Sequence, residues 1–244
     1  NLFPEIAYYL LPNTKDGAGT LIGADAVDKF AMKNAAEFCK NNGFFFDGVI
    51  TEAQNLREFI YEHANTCLLD FTVLGGRFGL KSVVPNNGNI SENFGSREEI
   101  KISGLFTDGN IKNLKTSFLH PEEKELFKAV VLYREETLNG FPATKTLRRQ
   151  LVGTNDSAPE EVFDLSNWCC SETHARIFAQ YALKVREVVD HGIVFETATN
   201  FAVGLEPGSY IKFVSTTSHT DRFSNGSIGP DGFIQSASEI TNGS

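Results

Sequence analysis

His63 and Cys67 stand four residues apart in a stretch of helical periodicity, so an imidazole and a thiol share one face within reach of a single soft metal ion. Cys169, Cys170, Glu172 and His174 crowd the start of another helical stretch, where the positive end of a helix favours a thiolate. Neither group is complete. A structural zinc takes four ligands, and no CxxC or HxxxH accompanies the first pair. A thiol nucleophile needs an oriented base and an oxyanion hole, and nothing near Cys169 announces either. Core or helix-surface placement accounts for both groups, so no metal ligand, no cofactor and no catalytic residue is expected. Cys39, Cys67, Cys169 and Cys170 form no CxxC pair, and the adjacent Cys169-Cys170 has no unstrained bridge to itself, so free thiols are expected.

Carboxylate pairs are the other chemical candidates, because glycoside hydrolysis needs two acids at a set separation. Glu98-Glu99, Glu122-Glu123, Glu135-Glu136 and Glu160-Glu161 all lie in polar surroundings, where solvated faces and turn edges explain them. No GxSxG elbow, P-loop or GxGxxG occurs, and Gly17-Ala18-Gly19 lacks the spacing and the preceding strand of a dinucleotide site. A net charge of −9, with Lys145 to Arg149 as the densest basic stretch, argues against stable nucleic-acid binding. No run approaches the roughly 18 apolar residues of a membrane helix. With 41% hydrophobic and 22% charged residues in 244, the chain is expected to fold as one large or two modest domains. A single Trp, Trp168, and only 6 Tyr leave few platforms for a carbohydrate-binding module.

The elements that must position these residues follow from periodicity and turn chemistry. A helix is predicted from Asp25 to Asn41, with Val27, Phe30, Ala31, Ala35 and Phe38 as its apolar stripe and Asn42-Gly43 as its stop. Phe44 to Ile50 reads as a strand. Thr51 and Gln54 form a capping box for a second helix running to Thr66, with Leu56, Ile60 and Ala64 inward. A hairpin is predicted with Leu69–Leu74 and Arg77–Val84 around a type I′ turn at Gly75-Gly76. Its register sets Leu74 opposite Arg77, Val73 opposite Phe78, Phe71 opposite Leu80 and Asp70 opposite Lys81. Pro85 to Gly95 marks a boundary, giving an α+β domain over 1–95 and a β-rich domain with one long helix over 96–244. In the latter, Ile100 to Ile102, Asn110 to Phe118, Phe127 to Arg134 and Ile193 to Thr197 are predicted strands, and Tyr210 to Val214 is another. Leu138 to Gly153 crosses to a further strand, and Val162 to Leu165 leads into a helix over Ser171 to Val189. His191-Gly192 is expected to end that helix, and Pro207-Gly208 to make a type II turn. Beyond Thr216 only Phe223, Ile228, Phe233 and Ile234 offer apolar anchors.

The order of these elements, with several phrases, resembles the tail-tip attachment or host-specificity proteins of lambda-like siphophages, which share a hub core with myophage baseplate hubs. Ala7-Tyr8-Tyr9-Leu10-Leu11, Gly17-Ala18-Gly19 and Ile22-Gly23 are similar to that family's opening segment, and Ala36-Glu37-Phe38-Cys39 to the end of its first helix. Phe46-Asp47-Gly48-Val49-Ile50-Thr51 with Leu56-Arg57-Glu58 resembles the strand and helix beyond. Val130-Val131-Leu132-Tyr133-Arg134 resembles its "V.V.YR" strand, and Glu172 to Arg186 its later helix. Phe195-Glu196-Thr197 and Leu205-Glu206-Pro207-Gly208-Ser209-Tyr210-Ile211 resemble "F.T" and "L.PGD.I", with Ser209 in place of the usual Asp.

The resemblance implies a mixed α+β hub fold with β-barrel-like tube domains and three main packed helices. It implies a homotrimer at the tip of the tail tube that contacts other tail tube and tail-tip proteins, with transient passage of DNA through its channel. Such a protein would be a non-enzymatic virion component, assembled in the cytoplasm of a bacterial host, and this chain would be a segment of a longer one. The rival expectation is a tail-associated cell-wall or glycan hydrolase module, in which the acidic pairs would converge in a cleft.

Overall fold

The computed structural model describes residues 1–50, 55–84, 102–136, 142–189, 191–215 and 240–242. Contacts divide the chain into two units, Asn1–Ser96 with Leu126–Lys184, and Arg97–Glu125 with Val185–Ser244. Leu126–Lys184 thus joins the amino-terminal stretch from beyond the boundary expected at Pro85 to Gly95, which lies outside the described residues.

The first element is one the periodicity reading passed over, α1 (Phe3–Leu10). Pro4 lies in its first turn, where the missing N–H leaves no bond unmade, and Glu5 adds a negative charge at the positive end of the dipole. Phe3, Ala7 and Leu11 are buried along one face. The chain then folds back over the end of this helix, the Ala18 amide donating to Leu10 O at 3.2 Å and that of Gly19 to Asn13 O at 2.8 Å.

The second helix starts later than its periodicity suggests. Ala24–Ala26 forms a single 3₁₀ turn, and α2 spans Lys29–Asn42. Asp28 decides the start, because its carboxylate accepts from the amides of Phe30 (2.9 Å) and Ala31 (3.0 Å). Val27 is drawn instead into a bridge with Phe78. This rotates the stripe, so that Met32, Ala35, Phe38 and Cys39 are buried while Phe30, expected inward, is 73% exposed. Gly43, at φ 69°, ends the helix as predicted.

Phe44 to Phe46 alternates in burial like a strand, but Phe44 to Ile50 joins no ladder among the described residues. Its amides bond singly, Phe46 N to Asn1 O and Asp47 N to Trp168 O, both at 2.9 Å. The Thr51 and Gln54 capping box lies outside the described residues. The described part of the next helix, α3 (Leu56–Thr66), is capped by Asn55, which accepts from Arg57 and Glu58. It buries Phe59, Ile60, His63 and Ala64.

The hairpin forms in the predicted register. Strand β1 (Leu69–Leu74) pairs with β2 (Arg77–Ser82), setting Leu74 opposite Arg77, Phe71 opposite Leu80 and Asp70 opposite Lys81. Gly75 and Gly76 both have positive φ, 57° and 78°, as a type I′ turn requires. The rings of Phe71 and Phe78 stack on one face, centroids 5.6 Å apart and 5° from parallel. These helices and the hairpin enclose one core.

A second core in the same unit lies between a sheet and a helix. Strands β3 (Ile102–Thr107) and β4 (Ile111–Phe118) belong to the other unit and are followed by β5 (Lys128–Glu136), the centre of a sheet with order β6-β5-β7. Strand β6 (Pro142–Arg149) is antiparallel to β5, and β7 (Glu160–Asp164) is parallel to it. Ala129, Val131 and Tyr133 of β5 face Ala175, Ala179 and Leu183 of α4 (Glu172–Val188). Ile177 and Tyr181, further around α4, pack on the first core. One helix therefore presents apolar side chains to two cores, with small Ala on the sheet side.

In the second unit β4 pairs with β8 (His191–Thr197), and β3 pairs in parallel with β9 (Tyr210–Val214). β10 (Ile240–Asn242) lies on the other side of β9, and α5 is a single short turn of helix, Thr199–Ala202. Phe106, Ile211 and Phe213 form its small core, which Phe195 meets at 4.9 Å from Phe106. His191 and Gly192 were expected to cap α4, yet they pair with Phe118 and Ser117 as the first residues of β8. The predicted Pro207 turn is present. Ser209 N donates to Glu206 O at 2.9 Å, Gly208 has φ 74°, and the Ser209 hydroxyl accepts from Glu206 N at 3.2 Å. The molecule is a mixed α+β protein, and the strands of the described residues fall into four sheets of two or three strands.

Candidate functional site

The two groups singled out for chemistry converge, but in the interior. His63 on α3, Cys67 capping its C-terminal end, Cys39 on α2, Cys169 ahead of α4 and His174 on α4 are all at most 4% exposed. Glu172 points to solvent and Cys170 is half-buried. The Cys39 and Cys67 thiols share a hydrogen bond, which together with burial pushes the Cys39 pKa far up. Burial also pushes Cys169 up, to about 11. Neutral thiols in this setting are hydrophobes rather than nucleophiles or ligands. Among the described residues no three His, Cys, Asp or Glu side chains are arranged to hold a metal ion.

The cluster joins the amino-terminal stretch of the first unit to Leu126–Lys184. His174 Nε2 lies 2.6 Å from Thr66 O, and its ring is 4.5 Å from Phe44. The His63 ring lies 4.6 Å from both Phe59 and Trp168. Trp168 stacks on Phe46 at 4.7 Å and 13°, while its carbonyl accepts from Asp47 N. Arg134, from β5, completes the joint. Its guanidinium donates to Asp47 O and lies 3.2 Å from Cys170 Sγ, and its amide donates to Cys169 O at 2.9 Å. Gly48 lies against the Trp168 ring, where a Cβ would come within 1.9 Å of Cε3.

The joint residues Gly48, Arg134 and Trp168 carry no chemical signature, and residue-type reasoning missed them. The signal that could have found two of them is the hub resemblance, which runs through Phe46-Asp47-Gly48 and Val130 to Arg134.

The carboxylate pairs take structural partners. Glu123 caps its own 3₁₀ turn (Pro121–Lys124) by accepting from His120 N at 2.9 Å. Glu135 lies 3.3 Å from Lys145, and Glu160 lies 3.8 Å from Arg148. Lys145 and Arg148 of the basic stretch on β6 are thus each paired with an acid of the same sheet, from β5 and β7. Glu98-Glu99 lies outside the described residues. An open groove of about 250 Å³ between α1 and α2 is lined by Pro4, Tyr8, Met32 and two lysines, Lys29 and Lys33, with Glu5 as its carboxylate. No described helix is long and apolar enough to cross a membrane.

These features define a mixed α+β protein whose notable residues serve a buried joint. No family model and no curated protein sequence matches the chain. A solved structure does. A chain of the virion of a native gene transfer agent particle is similar in fold, with a TM-score of 0.52 at 12% identity. The similarity covers 73% of this chain and 40% of that one, so this chain spans well under two thirds of its neighbour's length.

Proposed function

We propose that this chain is a structural component of a phage-like virion and, within it, part of the tail-tip or baseplate hub that joins the tail tube to the distal attachment apparatus. The observation that carries the reading is the fold shared with a chain of the gene transfer agent virion, over 73% of this chain. The lambda-like tail-tip resemblance, which spans residues of both units, supports the position at the tip. In this reading three copies close a ring around the tube axis, because closed cyclic symmetry is the ordinary way for identical chains to enclose a channel. Barrel-like domains in each copy would offer six comparable faces to a hexameric tube. The chain contacts other tail-tube and tail-tip proteins, and its net charge of −9 suits a channel that DNA crosses without sticking.

No catalysis is assigned. The partners of Glu123, Glu135 and Glu160 support that choice, since each carboxylate takes part in a turn or a cross-strand pair. A symmetry-resolved map of the intact particle tests the proposal. Three copies on the tube axis at the tip are expected. Any other copy number or an off-axis location overturns the hub assignment, and absence of the protein from purified particles overturns the virion assignment. Release of fragments from murein or glycan by the purified chain would overturn the non-catalytic reading.

A further inference from the structure

We propose that His63 and His174 form an acid-sensitive latch inside the first unit, which holds residues 1–84 against 126–184 while both imidazoles are neutral and releases them when a proton is taken up.

The hydrogen-bond chemistry fixes the state of His174. Its Nε2 lies 2.6 Å from the Thr66 carbonyl, which only accepts, so Nε2 carries the hydrogen and Nδ1 is the bare nitrogen. That Nδ1 is buried with no hydrogen-bond partner, as is Nδ1 of His63. A proton arriving at His174 Nδ1 creates a cation and a second donor at a buried nitrogen that has no hydrogen-bond partner. The ring is 2% exposed and packs 4.5 Å from Phe44. His63 is enclosed by Phe3, Phe46, Phe59 and Trp168. Attraction of a cation to those rings offsets part of the burial for His63, whereas His174 has one ring beside it and the tighter enclosure.

Among the described residues no carboxylate forms a hydrogen bond or ion pair with either imidazole. Around the pair, α1 carries Glu5, α2 carries Cys39, the extended segment carries Asp47, and α3 carries Glu62 and Cys67. Cys169, Cys170 and Glu172 come from the chain at the start of α4, and β5 adds the Arg134 guanidinium, which donates to Asp47 O. Glu62 favours the charged form of His63, and burial outweighs it. For His174 burial dominates and lowers the pKa to about 4. A histidine whose folded pKa is lowered contributes stability above its unfolded value, and that stability is lost as pH falls through the folded one. The neutral latch is therefore complete above the ordinary histidine range and opens below it. Both imidazoles sit where α3 and the extended segment meet Trp168 and α4, so the packing there should loosen before helix content is lost.

The full chain carries its own reporter, since Trp168 is its single tryptophan, stacks on Phe46 and lies 4.6 Å from the His63 ring. Trp168 fluorescence, near-ultraviolet circular dichroism and the exchange protection of the Asp47 amide are followed from pH 8 to pH 3.5, beside far-ultraviolet circular dichroism for helix content. The tertiary signals are expected to change first, at a midpoint between the ordinary histidine value and about 4. His174→Gln retains a donor for Thr66 O, and His63→Phe retains an aromatic ring. The double variant is expected to lower the midpoint by about one pH unit or more. Simultaneous loss of tertiary and helical signals, or an unchanged midpoint in the variant, overturns the latch. If the variant fails to fold, histidine NMR titration of the unmodified chain decides. Protonation of both imidazoles near the ordinary value with the Asp47 amide still protected overturns the proposal, and protonation in step with loss of that protection supports it.

Discussion

Gly48 lies directly under the Trp168 ring, so close that a Cβ would stand 1.9 Å from Cε3 and 2.9 Å from the Asn167 carbonyl. The ring is held from its other contacts by Phe46 and His63, so it has little room to yield. Gly48→Ala is expected to lower stability by about 1–3 kcal/mol, as overpacking does, and to shift the emission of the single tryptophan. Unchanged stability and emission would show that the ring moves aside freely.

Gly17 makes a comparable close approach to backbone. A Cβ there would lie 1.8 Å from Leu10 O, the carbonyl to which Ala18 N–H donates. Gly17→Ala should disrupt the cover over the end of α1 and cost about 1–3 kcal/mol in chemical denaturation. Gly23, with open space at its Cβ position, serves as the control, and Gly23→Ala should be nearly neutral.

The hairpin register allows a coupling measurement. Phe71 and Phe78 stack at 5.6 Å, and Tyr61 meets Phe71 edge-on at 5.4 Å. A double-mutant cycle of Phe71→Ala and Phe78→Ala is expected to give a coupling of about 0.5–1.5 kcal/mol. Additive losses would mean that the rings do not stack in solution.

Asp28 sets where α2 begins by accepting from Phe30 N and Ala31 N. Asp28→Ala should cost about 1 kcal/mol, and Asp28→Asn, which retains an acceptor oxygen, clearly less. Equal losses in the two variants would locate the effect in charge rather than capping.

Equilibrium stability should fall as pH drops from the ordinary histidine value of 6.5 towards about 4, because the unfolded chain binds a proton that buried His174 refuses. The loss from this residue is on the order of 3 kcal/mol. Urea titrations at pH 7 and pH 4.5 check it, and His174→Gln should flatten the slope. A stability that rises over this interval would show that His174 gains a partner when charged.

Much of the local structure was legible because its causes are local. Gly75-Gly76 between alternating apolar residues specifies a type I′ hairpin, and with the turn fixed the register of Phe71 with Leu80 follows. Gly43, Pro207-Gly208 and the spacing of Ala175, Ala179 and Leu183 acted in the same way. The misses came from competition between local and distant partners. Val27 had helical spacing, but Asp28 offered a cap and Phe78 a backbone bridge, so the helix began later and Phe30 turned outward. Phe44 to Ile50 was read as a strand, yet the Phe46 and Asp47 amides found Asn1 and Trp168 instead of a neighbouring strand. His191-Gly192 suited a helix end until β4 supplied Ser117 and Phe118 as pairing partners.

By itself the sequence determined the α+β character, the three main helices and the hairpin, since each depends on residues close in the chain. Tertiary structure alone decided that Cys39, Cys67, Cys169, His63 and His174 meet in one interior. The same holds for the closing of Gly48, Arg134 and Trp168 into a joint, and for the membership of Leu126–Lys184 in the unit of the amino-terminal stretch, although the other unit's Arg97–Glu125 intervenes in sequence. The physical reason is that such contacts are chosen by shape and desolvation among all the apolar faces of a chain. Periodicity announces that a face must be buried and carries no information about which distant face will cover it.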